Sequence, residues 1–243
     1  IKIAILIHFF IGLLAMYSLA RQFKLSNLAS YASAFIYMLS SVFAVRIAAG
    51  HFAYLAMSFY PLSFLFFIKG LKEIKYIPLS ALFLAFAFFS GSVYEFAFFI
   101  LFLGIYALIK SIIKFRFKYL KIIIFIVLFT FLITSIKLVP TFSFINDNPR
   151  DTEFAADEYT SFKDFMDDIF KSVRLTKYYI SGGSPDDPVW WEGNLGIGFI
   201  SAILVIIGGL FCFKKEKALF FSAIIFILIF LGGTIPISLW KII

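Results

Sequence analysis

A small set of polar side chains carries whatever chemistry this 243-residue chain can do: Arg46 and His51, Tyr94 and Glu95, Lys137, and Glu192 with Asn194. Guanidinium and ammonium groups hold phosphate through charge-assisted hydrogen bonds. A carboxylate or an imidazole takes a proton from an attacking hydroxyl. On that chemistry Glu192, His51 and Glu95 are the candidate acid–base groups. Arg46, Lys137, Tyr94 and Asn194 are the candidate substrate contacts. Each also has a plainer reading. Arg46 and Lys137 can snorkel to headgroups. His51 can be an interfacial hydrogen-bonded residue, Glu95 can pair with Arg46, and Glu192 can cap the start of a helix. His8 reads as a satisfied helix-bundle residue. Asp186 and Asp187 are adjacent carboxylates that either bind a divalent cation or stay solvated. The lone Cys212 excludes a disulfide framework and a cysteine-based metal site.

The elements that position these groups are membrane spans. Hydrophobic residues make up 62% of the chain and charged residues 15%, with 36 Phe, and the mean hydropathy is +0.99. A soluble domain would be about a quarter charged, so too little polar surface exists to cover a water-soluble particle. That excludes a soluble enzyme and a disordered or fibrous chain. A bilayer core of about 30 Å needs about 20 apolar residues in a helix. Eight apolar stretches are predicted to span: 3–20, 28–45, 52–68, 76–90, 93–109, 122–138, 195–213 and 218–235. The expected fold is all-α, a polytopic integral membrane protein. It is organised as a six-helix region over 1–140, an outer loop over 141–194 and two further spans over 195–243. The Ser90-Gly91-Ser92 turn makes a tight hairpin of the fourth and fifth spans, with a re-entrant pair as the alternative. The 36 Phe residues read as lipid-facing bulk.

Charge sets the expected orientation. Arg21 and Lys24, then Lys69, Lys72 and Lys75, then Lys110 to Lys121, then Lys214, Lys215 and Lys217 fall in alternate connections. The positive-inside rule places these in the cytoplasm, as basic loops rather than a nucleic-acid surface. The candidate residues then converge on the outer side. The 141–194 segment holds 11 of the 14 acidic residues against five basic ones, a net charge of −6. Trp190, Trp191 and Trp240 map to the same outer interface. Within that segment Phe162, Phe165, Met166, Ile169, Phe170 and Val173 recur at spacings of three and four. This is one stripe of an amphipathic helix suited to the interface plane, or to covering the outer ends of the spans. The chain opens on Ile1 without a signal-peptide pattern and closes just after an apolar run. It reads as an internal piece of a longer protein.

Arg46-Ile47-Ala48-Ala49-Gly50-His51-Phe52 with Tyr60-Pro61-Leu62 resembles a signature of YfhO-like membrane proteins, which belong to the GT-C class of glycosyltransferases. Trp191-Glu192 with Leu195-Gly196-Ile197, Gly208-Gly209-Leu210, and Leu231-Gly232-Gly233 with Pro236 resemble further elements of that family. The likeness runs over most of the chain from about Arg46. It departs where Ser90-Gly91-Ser92-Val93-Tyr94-Glu95 replaces a His-Pro-Gln element and Leu195 replaces a Tyr. The resemblance implies a multi-pass protein of a bacterial or archaeal plasma membrane. It implies transfer of a sugar from a polyprenyl-phosphate carrier to an acceptor on the extracytoplasmic face. Membrane lipid and the lipid-linked sugar are the expected partners, with no nucleic acid. The resemblance also implies a principal catalytic carboxylate before Ile1, and it leaves a divalent cation open. Two other classes compete: a transporter or flippase for lipid-linked saccharides, which calls for broken helices and midplane polar residues, and an O-antigen polymerase or ligase.

Overall fold

The computed structural model describes residues 1–147 and 199–230. Among them every regular element is helical: α1 (Lys2–Gln22), α2 (Asn27–Met38), α3 (Ser41–Ala48), α4 (Tyr60–Gly70), α5 (Ile77–Phe89), α6 (Val93–Lys114), α7 (Lys118–Asp147), α8 (Phe199–Lys215) and α9 (Lys217–Phe230). Short 3-10 helices at Phe52–Ser58 and Ile74–Tyr76 lead into α4 and α5. The amphipathic stripe of 162–173, Asp186, Asp187, Trp190, Trp191, Glu192, Asn194 and Trp240 lie outside the described residues.

The chain is an all-α, multi-pass membrane protein. Among the described residues five helical stretches are long and apolar enough to cross a bilayer: Lys2–Gln22, Asn27–Ala48, Phe52–Gly70, Val93–Lys114 and Lys118–Phe144. Ile74–Phe89 and Lys217–Ile229 are apolar but shorter. Three spans differ from the sequence expectation in form. The second is interrupted, because α2 ends at Met38 and Ser40 takes an extended backbone (ψ 147°) before α3 begins. The third starts as a 3-10 helix and becomes α-helical at Tyr60-Pro61, where Pro61 suits the first turn. The sixth runs through Pro140 to Asp147, so residues 141–147 continue a helix where the sequence reading began the loop. Pro within a membrane helix is tolerated when neighbours satisfy the freed carbonyl.

The chain divides into two compact units, Ile1–Met38 with Phe52–Phe154, and Leu39–His51 with Ala155–Ile243. In the first, α1 packs on α2 and α4, α5 packs on α4 and α7, and α6 packs on α7. The direction of packing follows from paired residues. Ser63 faces Ser80, so α4 and α5 run antiparallel as a hairpin. Their hydroxyls exchange bonds with each other's backbone, Ser63 Oγ to Ser80 O at 3.0 Å and Ser80 Oγ to Ser63 O at 2.9 Å. Tyr60 meets Phe99 at 4.7 Å and Phe64 meets Tyr106 at 5.4 Å, so α4 and α6 run parallel. Thr130 donates to Ala81 O and Lys137 to Phe88 O, so α5 and α7 run parallel.

Close approach depends on small residues, as expected where lipid offers no hydrophobic drive between helices. Gly12 of α1 lies so near the buried Met38 of α2 that a Cβ there would overlap the Met38 sulfur. Ala81, Ala85 and Ala87 of α5 are fully buried. The Phe residues divide between two roles, which corrects the reading of them as lipid-facing bulk. Phe64, Phe67, Phe88 and Phe96 are buried, whereas Phe10, Phe35 and Phe98 are exposed. Phe64 and Phe67 both meet the buried Tyr106 ring edge to face, at 5.4 and 5.8 Å, a geometry that aromatic quadrupoles favour.

In the second unit α8 and α9 pack together as a hairpin about Glu216, whose N–H donates to Cys212 O at 2.7 Å. Lys214 and Lys215 end α8, and the Lys217 ammonium lies 5.7 Å from the Phe213 ring centre. Cations also occupy the last turns of α1, α4 and α6, at Arg21, Lys69 and Lys114. There they complement the partial negative charge of the helix C-termini.

Candidate functional site

The α5–α6 turn assembles the polar cluster of the first unit. α5 ends at Phe89, and Gly91 follows with φ +96°, a conformation that glycine adopts without steric penalty. Ser92 then starts α6. Its spacing to Glu95 is that of a capping box, in which the Ser hydroxyl would accept from the backbone N–H three residues on. The structure uses the pair differently. Ser92 makes no cap bond to the helix backbone. Its hydroxyl donates to Glu95 Oε2 at 2.8 Å and lies 2.9 Å from the Tyr60 hydroxyl. Ser92 has one proton to give, and it goes to the carboxylate, so Tyr60 donates to Ser92. The result is a directed chain from Tyr60 through Ser92 to Glu95.

Burial decides what this chain can do. Ser92 is 1% exposed and Tyr60 8%, so both hydroxyls are withdrawn from water and need each other. Glu95 is half-buried, in the first turn of α6 where the helix dipole favours a carboxylate. One of its oxygens is oriented by Ser92. The other, Oε1, has no hydrogen bond among the described residues. A carboxylate held in this way can accept a proton from a hydroxyl brought to its open oxygen. Tyr94 beside it is 70% exposed.

Lys137 approaches the same turn from α7. Its ammonium donates to Phe88 O at 3.2 Å and Phe89 O at 3.3 Å, and lies 5.3 Å from the centre of the Phe88 ring. These are terminal carbonyls of α5, beyond the reach of the i→i+4 ladder; Phe88 O also accepts from the Gly91 N–H at 3.0 Å. Lys137 thus caps α5 from a neighbouring helix, a role that neither the phosphate contact nor the headgroup snorkel anticipated. Of its three N–H donors, one remains after the two carbonyls.

Arg46 and His51 belong to the second unit, and Glu95, Tyr94 and Lys137 to the first. They sit at the end of α3 in a complete Schellman motif. Gly50 has φ +86°, its N–H donates to Ile47 O at 3.0 Å, and the His51 N–H donates to Arg46 O at 2.9 Å. The Ala49-Gly50-His51 motif therefore has a backbone reason: glycine fits the left-handed position that closes the helix. Arg46 is half-buried and His51 exposed. His8 donates through Nδ1–H to Ala4 O at 2.8 Å and meets the Phe59 ring edge-on at 5.4 Å.

The structure thus brings Glu95 and Lys137 to one turn and adds Tyr60 and Ser92, which sequence reasoning did not select. The Ser-x-x-Glu spacing was the signal available for Ser92; Tyr60 lies 32 positions away, and the Tyr60-Pro61-Leu62 motif pointed to no partner for it. Among the described residues no group of three His, Cys, Asp or Glu side chains is placed to hold a metal ion. No protein-family model, no curated protein and no solved structure matches the chain.

Proposed function

We propose that this chain belongs to an integral-membrane glycosyltransferase of GT-C type, which moves a sugar from a polyprenyl-phosphate carrier to an acceptor on the extracytoplasmic face of a bacterial or archaeal plasma membrane. Eight spans and an outward loop after the Lys118–Asp147 helix complete the proposal. Ile74–Phe89, about 24 Å long at 1.5 Å per residue, then crosses with local thinning of the bilayer. The observation that carries the reading is the Tyr60–Ser92–Glu95 chain. It sits at the end of the helices opposite the basic α4–α5 and α6–α7 connections, and it offers one oriented carboxylate with an open oxygen. In the reaction Glu95 takes the proton of the acceptor hydroxyl as that oxygen bonds to the anomeric carbon. The bond from the anomeric carbon to the carrier phosphate breaks, and the phosphate leaves with the electron pair.

Transfer of radiolabelled sugar from a polyprenyl-phosphate donor, by the full-length protein in proteoliposomes, tests this. Glu95→Gln keeps the shape and removes the base, and should lower turnover by about 10²-fold or more. Turnover within about threefold of wild type would exclude Glu95 from the chemistry.

One observation favours the transporter reading. The helix break at Leu39–Ser40 and the 3-10 stretch at Phe52–Ser58 are the interrupted elements that transporters use to bind substrate. In the same proteoliposomes a transporter would move the lipid-linked sugar between leaflets with its glycosidic bond intact.

A further inference from the structure

Along the outside of the α6–α7 hairpin runs a groove of about 510 Å³, lined by residues that include Leu101, Gly104, Leu108, Ile124 and Leu128. The whole lining is apolar. Leu101, Leu108, Ile124 and Leu128 are exposed, and a Cβ placed on Gly104 would meet nothing within 4 Å. The missing side chain leaves the floor of the groove open.

The end of the groove is what makes it more than a lipid-facing surface. Leu108 stands six residues before Lys114, and Ile124 six residues after Lys118, about 9 Å along each helix axis. The hairpin closes there through Lys114-Phe115-Arg116-Phe117-Lys118, with Lys121 one turn on. All four cations are exposed. Phe115 and Phe117 between them are 92% and 77% exposed. Phe115 holds a left-handed conformation (φ 49°) that ends α6, with Arg116 N–H donating to Ser111 O at 3.1 Å. Alternating cations and bare rings suit the headgroup boundary, where rings enter the acyl edge and cations meet phosphate.

We propose that this groove is a binding site for one anionic glycerophospholipid: an acyl chain lies over Gly104, and the phosphate rests against Lys114, Arg116, Lys118 and Lys121. An apolar groove in a bilayer accepts any acyl chain, so the selection lies in charge. Each cation near an anionic headgroup favours it, whereas a zwitterionic headgroup adds no net charge to attract. The site lies at the basic end of the hairpin, remote along α6 from Glu95, and does not depend on the enzymatic reading.

The full chain, purified in a neutral detergent, would be offered equal amounts of phosphatidylglycerol and phosphatidylcholine with matched acyl chains. Native mass spectrometry would then count retained lipid. Wild type should retain phosphatidylglycerol about fivefold or more over phosphatidylcholine. Gly104→Leu, which fills the floor, should lose both. Lys114→Gln with Lys118→Gln should retain lipid but bring the two towards parity. Circular dichroism confirms that each variant keeps its helices, and Ile124→Trp blocks the same groove from α7 should Gly104→Leu fail to fold. Equal retention of both lipids by wild type would overturn the proposal. So would undiminished phosphatidylglycerol in a folded groove-filling variant, or a dimer mass that such a variant abolishes, which would give the groove to a second copy of the chain.

Discussion

Lys137 shows how a charged residue at membrane depth can be structural without reaching a headgroup. Its ammonium is shared between the Phe88 and Phe89 carbonyls and the Phe88 ring. A hydrogen bond from a charged donor contributes about 1.5–3 kcal/mol, and Lys137 is half-buried, so the lower end applies. Lys137→Met keeps the stem and removes the donors. It should lower the detergent unfolding midpoint by an amount equivalent to about 1–2 kcal/mol, with hydrogen exchange rising selectively at the end of α5. Unchanged exchange there would mean that α5 holds its own end. From sequence, the type and rough depth of Lys137 and Glu95 were legible, because charge in an apolar run stands out. Their partners were not. A carbonyl 49 positions away and a tyrosine 35 positions away leave no local trace.

At the scale of helices, the sequence located Lys2–Gln22, Asn27–Ala48 and Phe52–Gly70 to within three residues at each end, because length and hydropathy define such stretches, but it ended Val93–Lys114 five residues early and cut Lys118–Phe144 short at both ends. Continuity within a span was less legible. Ser40 lies in a run of small and apolar residues whose pattern does not forbid a helix, and the 3-10 stretch before Tyr60-Pro61 has no turn residue to announce it. The helix also continues past the predicted span end at residue 138, through Pro140 to Asp147. Pairing between helices was also invisible, and the Ser63–Ser80 exchange is the clearest case. A double-mutant cycle with Ser63→Ala and Ser80→Ala should give a coupling energy of about 0.6 kcal/mol, the usual size for such bonds in membranes. Additive losses would show that each serine acts through its own helix.

For the whole chain, orientation rests on charge. The basic connections gather Lys69 to Lys75 and Lys114 to Lys121 at one end of the α4–α7 bundle, and the α5–α6 turn lies at the other. With Cys212 replaced by Ser, Tyr94→Cys should react with a membrane-impermeant maleimide in intact cells. Phe117→Cys, equally exposed, should react after permeabilisation only. The opposite pattern would invert the topology and move Glu95 to the cytoplasmic side.

The reciprocal serines of α4 and α5 also bear on how the chain is made. As α5 leaves the ribosome it is too short to settle in a bilayer with ease, and each serine meets lipid without the other's backbone to bond. With α4 still beside it, both hydroxyls and both carbonyls have partners, and Phe66 already stacks on Phe83 at 5.5 Å. The two helices should therefore pass from the translocon into lipid as one closed hairpin. In a glycosylation-reporter insertion assay, the isolated 74–89 segment should insert poorly and the 60–89 segment efficiently, and Ser63→Ala with Ser80→Ala should narrow that gap.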